Sequence, residues 1–275
     1  MRIAVLVSQG QRNKGYDVPA EIIGAGFEAS VVETGMPVFP HNQLDHTLME
    51  VSTIEGGMRA AAAGYDAVFL NTIGDYGLSA LRCAVPVPVV GAGQAGMQIA
   101  AGLGRRFAIV TIWPEALRYL YEQLVADYGF AERCTGIRFV AEDAELADLD
   151  DDSNFVTEMR AGADRMIGRI AREMAAAVED DGADTILLGC TCMAPIAGRL
   201  AALTDVPVIN PLNAGYKLTE TMLTLGLSQS PAAFRPSADR QAQLAAMVSA
   251  AAPLMQGIAA DCEPCRVVRL DAAGD

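Results

Sequence analysis

One cysteine stands out by its setting. Cys190 lies in the run Leu187-Leu188-Gly189-Cys190-Thr191-Cys192-Met193, where a short apolar segment ends and a helix is expected to begin. A thiol at such a point sits near free backbone N–H groups, which stabilise a thiolate and bind carboxylate oxygens. An unperturbed thiol has a pKa of about 8.5, so a modest shift makes it a usable base near neutral pH. The alternative is a small buried hydrophobe, the role of most free cysteines. Cys192 is expected to pack in the helix start or to modulate that thiolate. Cys83 and Cys134 read as structural.

Other constellations carry less. Gly91, Gly93 and Gly96 match the spacing of a dinucleotide fingerprint, but that motif follows the first strand of its unit and needs an acid about 20 residues on. The nearest acid here is Glu115, so a tight strand-to-helix turn is the better reading. Cys262 and Cys265 form one C-x-x-C pair, which cannot complete a zinc site without two further ligands. His41 and His46, with Asp45 between them, are five apart and do not share a helix face. No metal or other cofactor is implied.

The elements that must position Cys190 are legible in the hydrophobic pattern. Apolar, β-branched runs at 2–7, 67–70, 87–90, 107–112, 185–188 and 206–209 read as buried parallel strands. Helix-period segments lie between them, as at 115–127, 156–180 and 194–203, with a further helix over 239–258. This alternation predicts an α/β fold with parallel sheets covered on both faces. The acidic stretch 142–152 reads as a solvated loop.

The chain also repeats itself. GYDAVFLNT (64–72) aligns without gaps on GADTILLGC (182–190), and each is followed by a helix and then by VPVV (87–90) or VPVI (206–209). RIAVLV (2–7) matches RFAIVT (106–111) in the same way. The repeat predicts two pseudo-symmetric three-layer αβα domains, one of residues 1–97 completed by 211–275 and one of residues 98–210. Thr72 and Cys190 then occupy equivalent points just past a strand end. Ligands of open α/β sheets bind outside those ends, so one cleft is expected between the domains, with Thr72 on one wall and Cys190 on the other.

With 275 residues, 52% of them apolar, the chain is long enough for two such domains. Its formal net charge of −14 speaks against nucleic acid and anionic membrane surfaces as partners. The N-terminal run is too short for an export signal and no run is long enough to span a membrane, so a cytoplasmic protein without structural disulfides is expected.

At LGCTCM and at LNTIGDYGLSALR (70–82) the chain resembles the aspartate/glutamate/hydantoin racemase superfamily, which also includes maleate isomerases and arylmalonate decarboxylases. The first motif resembles the family's second-cysteine strand end, and the second resembles the first-cysteine segment of hydantoin racemases. The resemblance covers the whole chain. It implies a cofactor-independent racemase or epimerase of an amino acid, hydantoin or related small carboxylate. In such enzymes one thiolate takes the α-proton and a facing thiol returns a proton. Here Thr72 replaces the first thiol; it would donate a hydrogen bond or a proton to a carbanion while Cys190 acts as base. A one-cysteine decarboxylase of a malonate-type acid and a non-catalytic small-molecule-binding member are the alternatives.

The resemblance also implies that strand-end hydroxyls, amides and backbone N–H groups hold the substrate. Ser8, Gln9, Asn71, Ile73, Thr111, Gly189 and Thr191 are the candidates, against ordinary helix capping. Trp113 is placed either to wall the pocket or to pack at a core or interface. Arg12 and Lys14 are candidates by position alone. The expected partner is a small carboxylate or a cyclic imide or ureide, and the expected assembly is a homo-oligomer.

Overall fold

The computed structural model describes residues 1–9, 17–149, 153–236 and 240–255. Two four-stranded parallel sheets form its frame. The first contains β1 (Arg2–Val7), β2 (Glu28–Glu33), β3 (Ala67–Leu70) and β4 (Val89–Gly91), in the order β2-β1-β3-β4. Its helices are α1 (Gln43–Ala62) and α2 (Leu78–Ala84), and α3 (Ala92–Leu103) follows β4 directly. The second sheet contains β5 (Phe107–Thr111), β6 (Cys134–Phe139), β7 (Thr185–Leu188) and β8 (Val208–Ile209), in the order β6-β5-β7-β8. Helices α4 (Arg118–Asp127), α5 (Phe155–Arg160), α6 (Asp164–Glu179) and α7 (Ala197–Ala201) belong to this half. They are followed by α8 (Pro211–Thr224) and α9 (Gln241–Met255).

The two sheets repeat one topology, β1 to β4 answering to β5 to β8. The residues of the sequence repeat explain why. Gly64 and Gly182 end their helices in the left-handed region, with φ +81° and +69°, which a Cβ would disfavour. Two residues on, Asp66 accepts the Arg2 N–H at 2.7 Å, and Asp184 accepts the N–H groups of Arg105 and Arg106 at 2.8 and 3.0 Å. Each aspartate thus satisfies the backbone entering the neighbouring strand.

Each sheet also lends a helix to the other. From β4 the chain runs into α3, which packs against β7, and a Cβ on Gly96 would lie 2.7 Å from a Leu187 methyl. From β8 it runs into α8, which packs back on β3 and β4. A side chain at Gly215 would meet Phe69 at 2.4 Å. Close packing of this kind resists opening, because interiors have little free volume.

The structure adds what the apolar runs did not reveal. β2 and β6 are edge strands, half-buried throughout, and α1 contributes a face of small residues. Residues 156–180 form two helices, broken where Gly162 takes φ +72°. Segment 194–203 is a 3₁₀ turn (Thr191–Ile196) running into α7. Among the described residues no helix is long and apolar enough to cross a membrane, and no group of three His, Cys, Asp or Glu could hold a metal ion.

Candidate active site

In a sheet of order 2-1-3-4 the chain reverses direction between its first and third strands, and a crevice opens at their C-terminal ends. Ser8 and Gln9 leave β1 there, and Asn71 and Thr72 leave β3. In the second sheet Thr111 and Trp113 lie at the end of β5, and Gly189 and Cys190 at the end of β7.

The loop after β3 is locked from behind. Asp75 is buried at 4% exposure and sits in the left-handed region, φ 45°. Its carboxylate accepts the N–H groups of Gly93 (2.9 Å) and Gln94 (2.6 Å) at the start of α3, and the Tyr128 hydroxyl (2.8 Å) from the end of α4. Burial still outweighs these bonds and pushes its pKa up to about 6. Arg82 stands close by, held by Gln94 Oε1 at 2.8 Å. Ahead of this lock, the Gly74 N–H donates to Thr72 Oγ1 at 3.3 Å. Gly74 has no side chain because the Tyr76 phenol occupies its place: a Cβ would lie 2.4 Å from Tyr76 Cζ.

The loop after β7 is shorter. Cys190 has extended backbone and caps the 3₁₀ turn, with its sulfur accepting the Cys192 N–H at 3.1 Å. Sequence reasoning expects free thiols, yet Cys190 and Cys192 are joined as a disulfide. Two residues apart, with Cα atoms at 5.2 Å, they fall inside the range a disulfide can bridge. Both pack in the apolar cluster of the second sheet. A Cβ on Gly189 would lie 2.4 Å from Thr111 Cβ, so only glycine lets β7 end this close to β5.

The two loops touch. Thr191 Oγ1 donates to the Asn71 carbonyl at 3.0 Å, tying the residue after Cys190 to the residue before Thr72. From α4, the Tyr121 hydroxyl donates to the Gly189 carbonyl at 2.8 Å and lies 2.7 Å from Thr111 Oγ1.

A cavity of about 330 Å³ opens in front of the β3 loop. Ser8, Gln9, Asn71, Thr72, Tyr76 and Tyr121 supply most of its polar groups, with Thr34 and Thr53. Val38, Phe39, Met49, Trp113, Leu117 and Leu120 supply much of its apolar wall. Phe39 and Trp113, one from each half, stack with ring centroids 5.0 Å apart. Among the described residues bordering the cavity there is no Lys, Arg, His, Asp, Glu or Cys. Gln9 Oε1 is buried without a hydrogen-bond partner among the described residues. A second recess of about 560 Å³ lies behind the loop, next to His46, Asp75, Arg82 and Tyr128.

The structure therefore gathers Ser8, Gln9, Asn71, Thr72 and Ile73 around one cavity, with Trp113 as a wall. Thr191 bridges the two loops. Thr111 is fully buried, and its hydroxyl also accepts the Trp113 N–H at 3.3 Å. Cys190 lies at the same strand-end level with its sulfur turned to Cys192, outside the cavity wall. Arg12, Lys14, Cys262 and Cys265 lie outside the described residues. His46 packs edge-on against Tyr76, centroids 5.2 Å apart, and burial holds its pKa below the usual imidazole value. His41 stands 3.8 Å from Asp45. Sequence reasoning missed Asp75, Tyr76, Tyr121 and Phe39. The turn Asp75-Tyr76-Gly77 was visible as punctuation, but nothing local marked the other two.

Comparison with known proteins follows the same outline. The profile described as Asp/Glu/Hydantoin racemase matches residues 32–219. A hydantoin racemase of Rhizobium meliloti is 34% identical over 169 residues, which is 62% of this chain and 65%, just under two thirds, of that protein. A hydantoin racemase of Pseudomonas sp. (strain NS671) is 34% identical over 194 residues, 70% of this chain and 73% of that one. Among solved structures, allantoin racemase from Klebsiella pneumoniae shares the fold with a TM-score of 0.70 at 24% identity, covering 88% of this chain and 98% of that chain.

Proposed function

The chain belongs to the Asp/Glu/hydantoin racemase family, and from that membership we propose that it is a cofactor-independent racemase of a cyclic ureide or imide, such as a 5-substituted hydantoin. In this reading Cys190, as a thiolate, removes the proton next to the ring carbonyl. The observation that carries it is the junction of the two strand-end loops, Thr191 to Asn71 at 3.0 Å, beside a cavity whose polar groups, among the described residues, are all uncharged. The described residues bordering the cavity include no cation, which suits a neutral ring better than an amino-acid zwitterion or a dicarboxylate, whose charges would lose water without compensation. Gln9 Oε1, without a partner among the described residues, offers an acceptor to a ring N–H. Phe39, Trp113, Leu117 and Leu120 offer an apolar surface to the ring substituent.

The Cys192 N–H directed at Cys190 Sγ stabilises negative charge on that sulfur. Thiolate chemistry requires the reduced form of the Cys190–Cys192 pair. Hydroxyl and amide donors on the first wall then hold the carbonyl oxygen as charge moves onto it.

Proton NMR in D₂O tests this. The protein, kept with a dithiol reductant, is incubated with single enantiomers of hydantoins, amino acids and arylmalonates, beside Cys190→Ala. Loss of the α-proton signal of a hydantoin together with its optical rotation, only when Cys190 is present, is the expected result. Exchange that persists in Cys190→Ala overturns the role of the thiol. Thr72 in place of a second thiol favours one further reading, a one-cysteine decarboxylase. Release of CO₂ from a malonate, with no exchange on hydantoins, would establish that instead. Ligands that raise the melting temperature of both proteins without exchange would mark a binding protein.

A further inference from the structure

A two-sided proton transfer needs an acid facing Cys190, and Thr72 is a poor one. In the same surroundings an aliphatic hydroxyl is a weaker acid than a phenol, so a phenol on the same wall is the better proton source. Only two of the described residues bordering the cavity carry a titratable proton, Tyr76 and Tyr121. Tyr121 is committed elsewhere, because its hydroxyl donates to the Gly189 carbonyl at 2.8 Å and contacts Thr111 Oγ1 at 2.7 Å. Tyr76 is not committed in this way. Its ring borders the cavity beside Thr72, in the same loop and on the same wall. The fold makes room for it by leaving Gly74 without a Cβ, which would lie 2.7 Å from the phenol oxygen. His46 supports the ring edge-on from behind.

We propose that Tyr76 is the catalytic acid of the first-domain face, with Thr72 beside it to support the charge that develops. This rests on the reading of Cys190 as the base. In one direction the Cys190 thiolate takes the α-proton, and the C–H electron pair passes into the adjacent carbonyl. The Tyr76 O–H bond then breaks as its proton joins the opposite face of the carbon. Thr72 donates a hydrogen bond to the phenolate oxygen as that charge appears. One proton from water restores the phenol and one proton leaves the thiol to water, so the cycle closes without a cofactor. Burial and the neighbouring Tyr121, Tyr119 and Asp75 keep the phenol pKa well above its ordinary value, so the donor is loaded at neutral pH. His46 is held in its neutral form by burial. The two strand ends would then be chemically unequal, with a thiol at the end of β7 and a phenol in the loop after β3.

Tyr76→Phe tests the assignment. It keeps the ring and removes only the hydroxyl. In D₂O, after subtraction of an enzyme-free blank, the wild type should exchange and invert both enantiomers of its substrate. The variant should lose inversion by about 10²-fold or more, the usual scale for one acid–base group. It should still exchange the α-proton of the one enantiomer that presents it to Cys190, with retention of configuration. Inversion at the wild-type rate overturns the proposal. Loss of exchange in both enantiomers also overturns it, since the hydroxyl would then serve the site in general. If Tyr76→Phe fails to fold, site-specific 3-fluorotyrosine at position 76 takes its place. A more acidic phenol should move the alkaline limb of the inversion rate to lower pH, and an unmoved limb overturns the proposal. Failure of the Cys190 reading looks different, because Cys190→Ala would then leave exchange intact.

Discussion

The loops after β3 and β7 hold the same place in the same topology, and they solve opposite problems. The Cys190 loop is short, enters a 3₁₀ turn at once, and fixes its sulfur locally through Cys192, by the disulfide and by the Cys192 N–H at 3.1 Å. The Thr72 loop is longer, carries a left-handed Asp75, and is fixed by bonds that reach 18 and 53 residues along the chain. A soft thiol needs little more than a helix start to become reactive. A wall made of hydroxyls has no such local activation, so it depends on positioning, and positioning is what Asp75 provides. The repeat copied the backbone and left the chemistry free to diverge.

The sharpest way to break this comparison is at the sulfur. Cys190→Ala removes the proposed base, and we expect α-proton exchange to fall by about 10³-fold or more, within the range set by loss of an acid–base group. The fold should survive, since alanine keeps the backbone and most of the volume of a small side chain that is 8% exposed. The check is the exchange rate beside a melting curve. A variant that keeps exchange, or that unfolds, would make the β7 loop as dependent on positioning as the β3 loop.

The frame was legible in the sequence where burial was complete. β1, β3 and β7 lie where their apolar runs predict, because both faces of each strand are covered. β2 and β6 escaped because edge strands tolerate polar residues: Glu28 and Glu33 in one, Gly136 and Arg138 in the other. In the site, Thr72 and Cys190 could be found from the gapless repeat alone. Tyr121 and Phe39 could not, since each reaches the cavity through contacts far along the chain. Tyr76 was hidden for another reason. Its place is set by a missing side chain, that of Gly74.

A smaller effect is expected from Asp75→Asn. The folded pKa of Asp75 is raised to about 6 from an ordinary 3.8, so between those values the folded state holds a proton that the unfolded chain has released. Its contribution to stability is therefore complete below about pH 4 and is lost as pH rises through about 6. At ~1.4 kcal/mol per unit this amounts to about 3 kcal/mol. The asparagine variant lacks this dependence. Denaturant unfolding should thus show wild type most favoured over Asp75→Asn near pH 4, with the gap narrowing toward pH 7. A gap that widens toward pH 7 would mean that the buried carboxylate is stabilised as an anion by its donors, against the direction burial imposes.

Tyr128→Phe is the smallest change and the most discriminating. It removes one donor, from the second half of the molecule, to the lock of the first. A hydrogen bond to a charged acceptor is worth about 1.5–3 kcal/mol, and the lower end applies because two backbone N–H groups still hold the carboxylate. The sign of its pH dependence is the reverse of the asparagine variant. Losing the phenol raises the Asp75 pKa further, because that bond favours the anion. The deficit of Tyr128→Phe should therefore be slight near pH 4, where Asp75 is protonated, and reach its full size above pH 7. Opposite slopes in the two unfolding series would place both effects on one carboxylate. Parallel slopes would show that Tyr128 stabilises the two halves by packing alone, and the Asp75 lock would then rest on the Gly93 and Gln94 N–H groups of its own half.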